Sequence, residues 1–417
     1  TLDRQPHHYR SDDTIGRSGI EAGRESMLRP SRGQKIESTD HSGHIIETVI
    51  EQPARDGTDL RLTIDPQIQQ TAETLLAEAL AQRDARFSAI GDPEIIDDLK
   101  NSGGAIVLLD VEDGSVRAMV SLPDFNPNSF IAHDSATIER LMTAPSRPMF
   151  NRAVQMALPI GSVFKTVDAV AALQTGTVIP GQTLDCRGFL DTPEAFRCEL
   201  FIREGIGHGP TTLTDALCES CNVYFFETAR QLGPDPLIDW AMRFGLGCPT
   251  GIELPGEASG NVPLPDSLRT MTGRPPLTES ETLLLAIGQG EFSATPIQVA
   301  RMMAAVANGG RLVRPHLIAA DRTEIPFTDG TPIPDLTPAI LAELRDGLRR
   351  VVADPSGTAH STTWAADVSI AGKTGTAQTG RTTSGNDRLA HSWFAGFTPV
   401  DHPRYAFCIA IEHGGEA

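Results

Sequence analysis

The sequence predicts a mixed α/β fold, of the α+β type, in which helices cover a central sheet. Two groups of strand-like stretches predict it. An early β-hairpin pattern runs over residues 105–109 and 116–120, joined by a turn at Asp113-Gly114. Three further stretches lie near the end of the chain, at residues 368–376, 391–397 and 404–411. Helical patterns fill the interval between the two groups, so we expect the strands to meet in one sheet with the helices packed on it.

The first 58 residues are predicted to form an extended, irregular segment, because they are polar and show no sustained apolar period. A compact domain begins near residue 59. Residues 60–64 alternate as in a short strand, and Asp65 can cap a helix whose first turn holds Pro66. The sequence therefore predicts two units, an N-terminal segment over residues 1–58 and a globular domain over residues 59–417.

Start and stop signals mark the helices of the globular domain. A loop rich in proline and asparagine covers residues 122–159, and a helix follows over residues 162–174 with Gly176 as its terminator. Residues 212–232 are predicted to be helical on both sides of a polar interruption. Two more helices begin at Thr295-Pro296 and Thr337-Pro338, where a capping threonine precedes a proline.

The composition limits the functions that the chain can have. A formal net charge of -19 and a pI near 5.0 argue against binding to nucleic acid, because neutralising phosphates requires clustered cations. No apolar run reaches the ~18 residues that a membrane span needs. Since the chain starts at Thr1 and stops soon after a strand-like stretch, we interpret it as a fragment of a longer protein, with any membrane anchor outside it.

Lysine is rare in this chain, and its few positions are informative. Only four of the 35 basic residues are lysines. Ser162 and Lys165 are three residues apart at the start of a predicted helix, so their side chains project from one face. A buried lysine, unlike arginine, can lose its proton and then activate a serine nucleophile. The alternative is that Ser162 only caps the helix and Lys165 is a solvated surface residue.

A second lysine motif, Lys373-Thr374-Gly375-Thr376, lies late on a predicted strand. Gly375 would let a ligand approach the strand closely, while the ammonium and the two threonine hydroxyls suit a carboxylate. The backbone N–H of Thr376 is our candidate for an oxyanion donor. The alternative is a glycine-rich strand end that leads into a polar loop.

A third polar group is needed to relay protons between serine, lysine and a leaving amine. The pattern S-x-N occurs at Ser220-Cys221-Asn222, at residues 259–261 and at residues 384–386. Spacing does not choose among them. We favour Ser220, because it interrupts an amphipathic helix pair and can face a buried cleft, whereas the other two patterns lie in glycine-rich loops.

With its motifs in the order S-x-x-K, S-x-N and K-T-G, the chain resembles the penicillin-recognising acyl-serine transferases. Further strings resemble the class B penicillin-binding proteins along nearly the whole chain, among them Gly16 to Glu21, Ile287 to Gly290 and His391 to Gly396. The string from Ser220 to Phe226 is similar to the elongation-type branch, penicillin-binding protein 2.

The resemblance implies a penicillin-binding-protein and β-lactamase-like fold with a mainly antiparallel central sheet. It implies that residues 1–58 are a remnant of an N-terminal pedestal or dimerisation domain. Residues 59–417 would be a transpeptidase domain that lacks its C-terminal end.

The same resemblance implies a peptidoglycan D,D-transpeptidase that β-lactams acylate and inhibit, with no cofactor required for catalysis. The catalytic residues would be Ser162 as nucleophile, Lys165 as general base and Ser220 as proton relay. The substrate-binding residues would be Asn222, Lys373, Thr374, Gly375 and Thr376. The implied partners are peptidoglycan stem peptides, a SEDS-type membrane glycosyltransferase and the elongation machinery, at the periplasmic face of the bacterial inner membrane.

A candidate metal site combines Cys186, Cys198, His208 and Cys221, a Cys₃His donor set that suits tetrahedral zinc. Some elongation-type penicillin-binding proteins are similar in carrying zinc here, with aspartate at the first two positions. A structural zinc is one interpretation of this set. The alternative is a Cys186–Cys198 disulfide that closes a short surface loop, with Cys221 as a buried thiol.

Other functions stay open on the sequence alone. A D,D-carboxypeptidase or β-lactamase-type hydrolase would use the same nucleophile with water as the acceptor. A β-lactam-sensing receptor domain would be acylated without turnover, and an inactive scaffold would not be acylated at all.

Overall fold

The computed structural model describes residues 9, 13, 15–132, 134–319, 330–360, 368–380 and 389–416. The sequence predicts an irregular N-terminal segment, and this prediction is wrong. The segment contains two short helices and an antiparallel hairpin. These elements are α1 (Gly19–Gly23), α2 (Glu25–Leu28), β1 (Gln34–Thr39) and β2 (Ile45–Gln52). Nearly every residue of the hairpin is exposed, so no buried face imposes an apolar period on its sequence.

The globular domain begins with a long helix and a hairpin, as predicted. Its first elements are α3 (Pro66–Ser88), α4 (Pro93–Lys100), β3 (Gly104–Asp110) and β4 (Val116–Leu122). The Asp65 carboxylate caps α3 by accepting hydrogen bonds from the backbone N–H groups of Gln67 and Ile68. The strand predicted over residues 60–64 is wrong, since Leu62 makes a single bridge to Ile318. An alternating pattern this short fits one bridge as well as a ladder, and only the position of the partner decides between them.

Short helices interrupt the stretch predicted as a loop over residues 122–159. They are α5 (Asn128–Ile131), α6 (Ser135–Thr143) and α7 (Arg152–Gln155). Two polar residues within this stretch, Asp134 and Asn151, are helix caps, because their side chains accept hydrogen bonds from backbone N–H groups of the first turn. The predicted helix at residue 162 begins as a 3-10 turn, Gly161–Phe164, and continues as α8 (Lys165–Thr175). Gly176 ends it in the left-handed conformation, with φ 73°.

The middle of the chain contributes most of the helical layer. After β5 (Leu184–Cys186), α9 (Glu199–Glu204) and β6 (Gly209–Thr211), the predicted interrupted helix appears as α10 (Leu213–Cys218) and α11 (Asn222–Leu232). The elements that follow are α12 (Pro234–Arg243), α13 (Asp266–Met271), α14 (Glu279–Ala286), α15 (Pro296–Ala307), β7 (Arg311–Leu312), β8 (Thr331–Pro332) and α16 (Pro338–Ala353). Thr295 and Thr337 cap α15 and α16 as predicted. Among the helices that the structure describes, none is long and apolar enough to cross a membrane.

The last strands, β9 (Ala371–Ala377), β10 (His391–Thr398) and β11 (Tyr405–Ile411), join the early hairpin in one sheet. The strand order is β4-β3-β11-β10-β9, and each neighbouring pair is antiparallel. All 12 residues of α15 are buried where it packs on one face of this sheet, and α3 packs on the other face. The predicted antiparallel sheet covered by helices is thus confirmed. Its order places β9 at an edge, where a ligand can reach it.

Candidate active site

Ser162 and Lys165 lie where the 3-10 turn passes into α8. Ser162 lines a cleft of about 990 Å³ that runs beside β9. Lys165 is 0 % exposed, so the alternative that it is a solvated surface residue is wrong. The two residues therefore combine a serine that faces the cleft with an amine held in the protein interior.

The amine of Lys165 contacts the S-x-N motif at residues 220–222. Lys165 Nζ lies 2.8 Å from Ser220 O, 3.1 Å from Ser220 Oγ and 2.7 Å from Asn222 Oδ1. The other face of the Asn222 amide is also held, because its Nδ2 donates to the carbonyl of Arg197 at 3.0 Å. Lys165 is thus held against Ser220 by a network that fixes its position within the cleft wall.

The other two S-x-N patterns are not part of this network as far as the structure describes them. Asn261 pairs with Ser293 through reciprocal backbone hydrogen bonds. Residues 384–386 lie outside the described residues. The structure therefore brings the pattern at Ser220 to Lys165, the one that its helical context had favoured.

Ser220 has an unusual backbone conformation. Its φ is 56°, in the left-handed region that residues other than glycine rarely occupy. Such a conformation costs on the order of 1–3 kcal/mol and persists only where the surroundings enforce it. Here it turns the chain sharply between α10 and α11, which directs both the carbonyl and the hydroxyl of Ser220 to the Lys165 amine.

Two glycines let the nucleophile approach the edge strand. A Cβ atom at Gly161, whose φ is 56°, would lie 2.5 Å from Thr376 O, and one at Gly375 would lie 2.4 Å from Ile160 O. Neither position has room for a side chain, so the 3-10 turn rests directly on β9. Sequence reasoning assigned Gly375 to ligand access and missed Gly161, although the glycine immediately before the serine was a visible signal.

The K-T-G-T stretch alternates between the cleft and the interior. Thr374 and Thr376 line the cleft, and the Thr374 hydroxyl lies 2.7 Å from that of Thr358. Lys373 points the other way and is 0 % exposed, with its Nζ 3.4 Å from Thr374 O. The expected role of its ammonium beside a substrate carboxylate stays a prediction, and burial together with the nearby charge of Lys165 holds the pKa of Lys373 well below its usual range.

Burial changes the protonation of the charged groups around α8. Desolvation lowers the pKa of Lys165 to about 8. Electrostatic interactions with Cys198, Cys221 and Asp168 raise this pKa and so offset part of the effect. Burial raises the pKa of Asp168, one turn further along, well above its usual range. Within the described part of the chain, neither carboxylate oxygen of Asp168 has a hydrogen-bond partner. We missed Asp168 in the sequence, where a lone carboxylate on a helix suggests an exposed position.

A cluster of three cysteines and a histidine lies directly behind the S-x-N motif. The donor atoms of Cys186, Cys198, His208 and Cys221 all lie within 4.8 Å of one another. Cys198 Sγ is 3.5 Å from the sulfurs of both Cys186 and Cys221, and Cys186 Sγ is 3.3 Å from His208 Nδ1. A disulfide needs sulfurs about 2.05 Å apart, so the alternative Cys186–Cys198 disulfide is not formed.

The surroundings of the cluster act differently on its thiols, since hydrogen bonds with Cys186 and Cys198, together with burial, raise the pKa of Cys221 well above its usual range. Hydrogen bonds from Cys198 and Cys221 hold the pKa of Cys186 far below its usual range. Backbone N–H groups donate to two of the sulfurs, from Val223 to Cys198 at 3.3 Å and from Tyr224 to Cys221 at 3.4 Å. Four converging soft donors at these separations fit the four-coordinate geometry that zinc prefers.

Comparison with known proteins identifies the family. A family model described as the penicillin-binding protein transpeptidase domain matches residues 104–417. This chain belongs to the penicillin-binding proteins. A second model, the penicillin-binding protein dimerisation domain, matches residues 1–62. The pair of matches agrees with a class B penicillin-binding protein of the penicillin-binding protein 2 type.

Individual relatives agree with this assignment. The peptidoglycan D,D-transpeptidase MrdA of Haemophilus influenzae is 32% identical over 98% of this chain, which spans 61% of that relative. The penicillin-binding protein 2 solved with MreC from Helicobacter pylori is 28% identical with a TM-score of 0.78, covering 96% of this chain and 69% of that one. Penicillin-binding protein A from M. tuberculosis, a penicillin G acyl-enzyme complex, is 25% identical with a TM-score of 0.68, covering 87% of this chain and 77% of that one.

Proposed function

We propose that this penicillin-binding protein is a serine D,D-transpeptidase that cross-links peptidoglycan stem peptides and is inhibited by β-lactams. One observation carries the proposal: a cleft-lining serine lies three residues before a fully buried lysine whose amine contacts Ser220 and Asn222. A surface lysine would stay protonated at neutral pH, whereas this one has a lowered pKa and can accept a proton.

In the first half-reaction, Ser162 Oγ attacks the carbonyl carbon of the penultimate D-alanine. Its proton passes to the neutral amine of Lys165, and the carbonyl becomes a tetrahedral oxyanion. The backbone N–H groups of Ser162 and Thr376 are the proposed oxyanion donors. The C–N bond to the terminal D-alanine then breaks, and the Ser220 hydroxyl relays the proton from Lys165 to the leaving amine.

In the second half-reaction, an amine of a neighbouring stem attacks the acyl-serine. Lys165 takes a proton from the attacking nitrogen, the ester bond between the acyl carbon and Ser162 Oγ breaks as the new amide forms, and Ser162 Oγ takes its proton back from Lys165. Thr374 and Thr376, which line the cleft, would hold the substrate carboxylate, and Asn222 would meet the substrate amide. A β-lactam carbonyl would enter the first step in place of the D-alanine amide and leave Ser162 acylated.

We further propose the cellular setting that the relatives suggest. Residues 1–58 would form part of a pedestal, and residues 59–417 the transpeptidase domain. The protein would act at the periplasmic face of the inner membrane, with a SEDS-type glycosyltransferase and the elongation machinery as partners. The complex of a structural relative with MreC supports this setting.

We also propose that a structural zinc occupies the cysteine and histidine cluster. Cys186, Cys198, His208 and Cys221 would fill its four positions, and no water site would remain for catalysis. When bound, the ion would tie the loop over residues 186–208 to Cys221, beside Ser220. Elemental analysis of protein purified without chelators should find one zinc per chain, and a metal-free protein would reject this proposal.

A fluorescent penicillin tests the transpeptidase proposal. The purified protein should become covalently labelled, and the label should persist for hours, as expected of an acyl-serine that waits for an amine acceptor. Rapid loss of the label would favour a hydrolase, and no labelling would favour a scaffold. Release of D-alanine from a pentapeptide substrate, increased by an added amine acceptor, would distinguish a transpeptidase from a receptor that is only acylated.

The rate of acylation should rise with pH. The neutral amine of Lys165 is the active base, and its fraction increases as the pH approaches the pKa of about 8. We therefore expect the second-order rate of penicillin labelling to increase about tenfold per pH unit in weakly acidic solution and to level off above about pH 8. Spontaneous hydrolysis of the penicillin at each pH is the control. A rate that is flat or falls over this range would contradict the assigned role of Lys165.

A further inference from the structure

Glu219 occupies a position between the cysteine and histidine cluster and the catalytic cleft. The ring of His208 turns its Nδ1 towards Cys186 Sγ, at 3.3 Å, and its Nε2 towards Glu219 Oε2, at 3.8 Å. The His208 side chain is only 7% exposed, whereas that of Glu219 is 32% exposed and lines the cleft. The His208 imidazole thus contacts a cysteine sulfur with one nitrogen and faces the Glu219 carboxylate with the other.

This arrangement has a known chemical use. An imidazole that gives the lone pair of one nitrogen to a metal keeps its proton on the other nitrogen. A carboxylate that accepts this second N–H fixes the tautomer, orients the ring and makes the ligand nitrogen more basic. Closing the observed separation to a normal hydrogen bond takes a movement of about 1 Å, which a rotation of the partly exposed glutamate side chain can supply.

We propose that Glu219 is the outer partner of the metal site: it accepts the Nε2–H of His208 and so holds Nδ1 towards the three cysteines. The inference rests on the zinc proposed above and deepens it by naming a residue outside the four ligands. Glu219 is a positioning residue, because it acts through His208 and not on the reacting atoms.

The position of Glu219 in the sequence gives this role a consequence for catalysis. The four residues from Glu219 to Asn222 alternate in what they contact. Glu219 and Cys221 face the metal site, while Ser220 and Asn222 hold the amine of Lys165. Metal binding would therefore hold the segment on both sides of Ser220, whose left-handed backbone needs such support.

A neighbouring glutamate offers a matched control. Glu204 lines the same cleft at the C-terminal end of α9, so its replacement by glutamine removes an equal charge from that cleft. Glu199 is less suitable, because it follows the ligand Cys198 directly and pairs with Arg203 at 3.3 Å. Glu204→Gln therefore reports the effect of cleft charge alone.

Competition with a chromophoric chelator measures the zinc affinity of the full chain and of three variants. We expect Glu219→Ala to bind zinc about 10- to 100-fold more weakly than the parent. Glu219→Gln should fall between them, because its amide oxygen still accepts the His208 proton, and Glu204→Gln should match the parent. The thermal midpoint of the zinc-loaded protein should fall in Glu219→Ala, while that of the zinc-free protein stays the same.

Two results would overturn the inference. Parent-like zinc affinity in both Glu219 variants would show that the carboxylate does not support His208. Equal weakening by Glu204→Gln would show that the cleft charge, and not this contact, sets the affinity. A parent protein that binds no zinc would instead reject the metal proposal itself, and penicillin labelling of the same sample would show whether the transpeptidase proposal still stands.

Discussion

Ser162→Ala is expected to abolish labelling by a fluorescent penicillin. The variant has no oxygen to form the acyl bond, and the side chain that replaces it faces the cleft, where a lost hydroxyl leaves no buried polar group unpaired. The fold should therefore persist, with an unchanged thermal midpoint. Labelling should be absent at all times and concentrations, which is a larger effect than any change in a supporting residue would give.

Ser356→Ala is the matched control for this experiment. Ser356 lines the same cleft, but its hydroxyl donates to Asp354 at 3.0 Å and it follows a helix end, not the nucleophile turn. This variant should label at the parent rate. Residual stable labelling of Ser162→Ala, mapped by mass spectrometry to another serine, would show that the nucleophile is wrongly assigned.

Lys165→Arg should have the second-largest effect, a loss on the order of 10²- to 10⁴-fold in the acylation rate. A guanidinium keeps its proton at any pH compatible with folding, so it cannot take the proton of Ser162. It is also larger than an ammonium and would disturb the contacts with Ser220 and Asn222. The second-order rate of penicillin labelling measures the loss.

A lysine-to-arginine change at an exposed position is the control, because it shows whether arginine alters labelling where no proton transfer is involved. Lys100 lies in the last turn of α4, and Lys100→Arg should label like the parent. Circular dichroism and a thermal melt of Lys165→Arg show whether the variant is folded. A folded Lys165→Arg protein that is acylated at the parent rate would exclude Lys165 as the general base.

Much of the fold could be predicted because its signals are local. The caps at Asp65, Thr295 and Thr337 and the terminator at Gly176 form as expected, since each acts within a few residues of its own position. The errors have one physical origin. A short extended stretch such as residues 60–64, or an exposed hairpin such as β1 and β2, depends on a partner that the local sequence does not specify.

The candidate site, too, could be predicted only in part from the sequence. The sequence alone supplied Ser162, Lys165 and the K-T-G-T stretch, because rare lysines in unusual settings are visible without a structure. It also supplied the metal donor set, although with a Cys186–Cys198 disulfide left open as the alternative. It did not reveal Gly161, Asp168 or Glu219, because a glycine in a turn or a carboxylate on a helix looks ordinary until its neighbours are known.

The scarcity of lysine determined which two amines matter, and the order of the motifs determined the family. Only the tertiary structure decided that Lys165 meets Ser220, that Lys373 is fully buried, and that the cysteine cluster lies directly behind the S-x-N motif. The reason is that protonation and contact both depend on burial between segments far apart in the chain. Residue types set the chemistry that each group can perform, and packing of the 3-10 turn, α11 and β9 around one cleft sets which of these reactions each group can take part in.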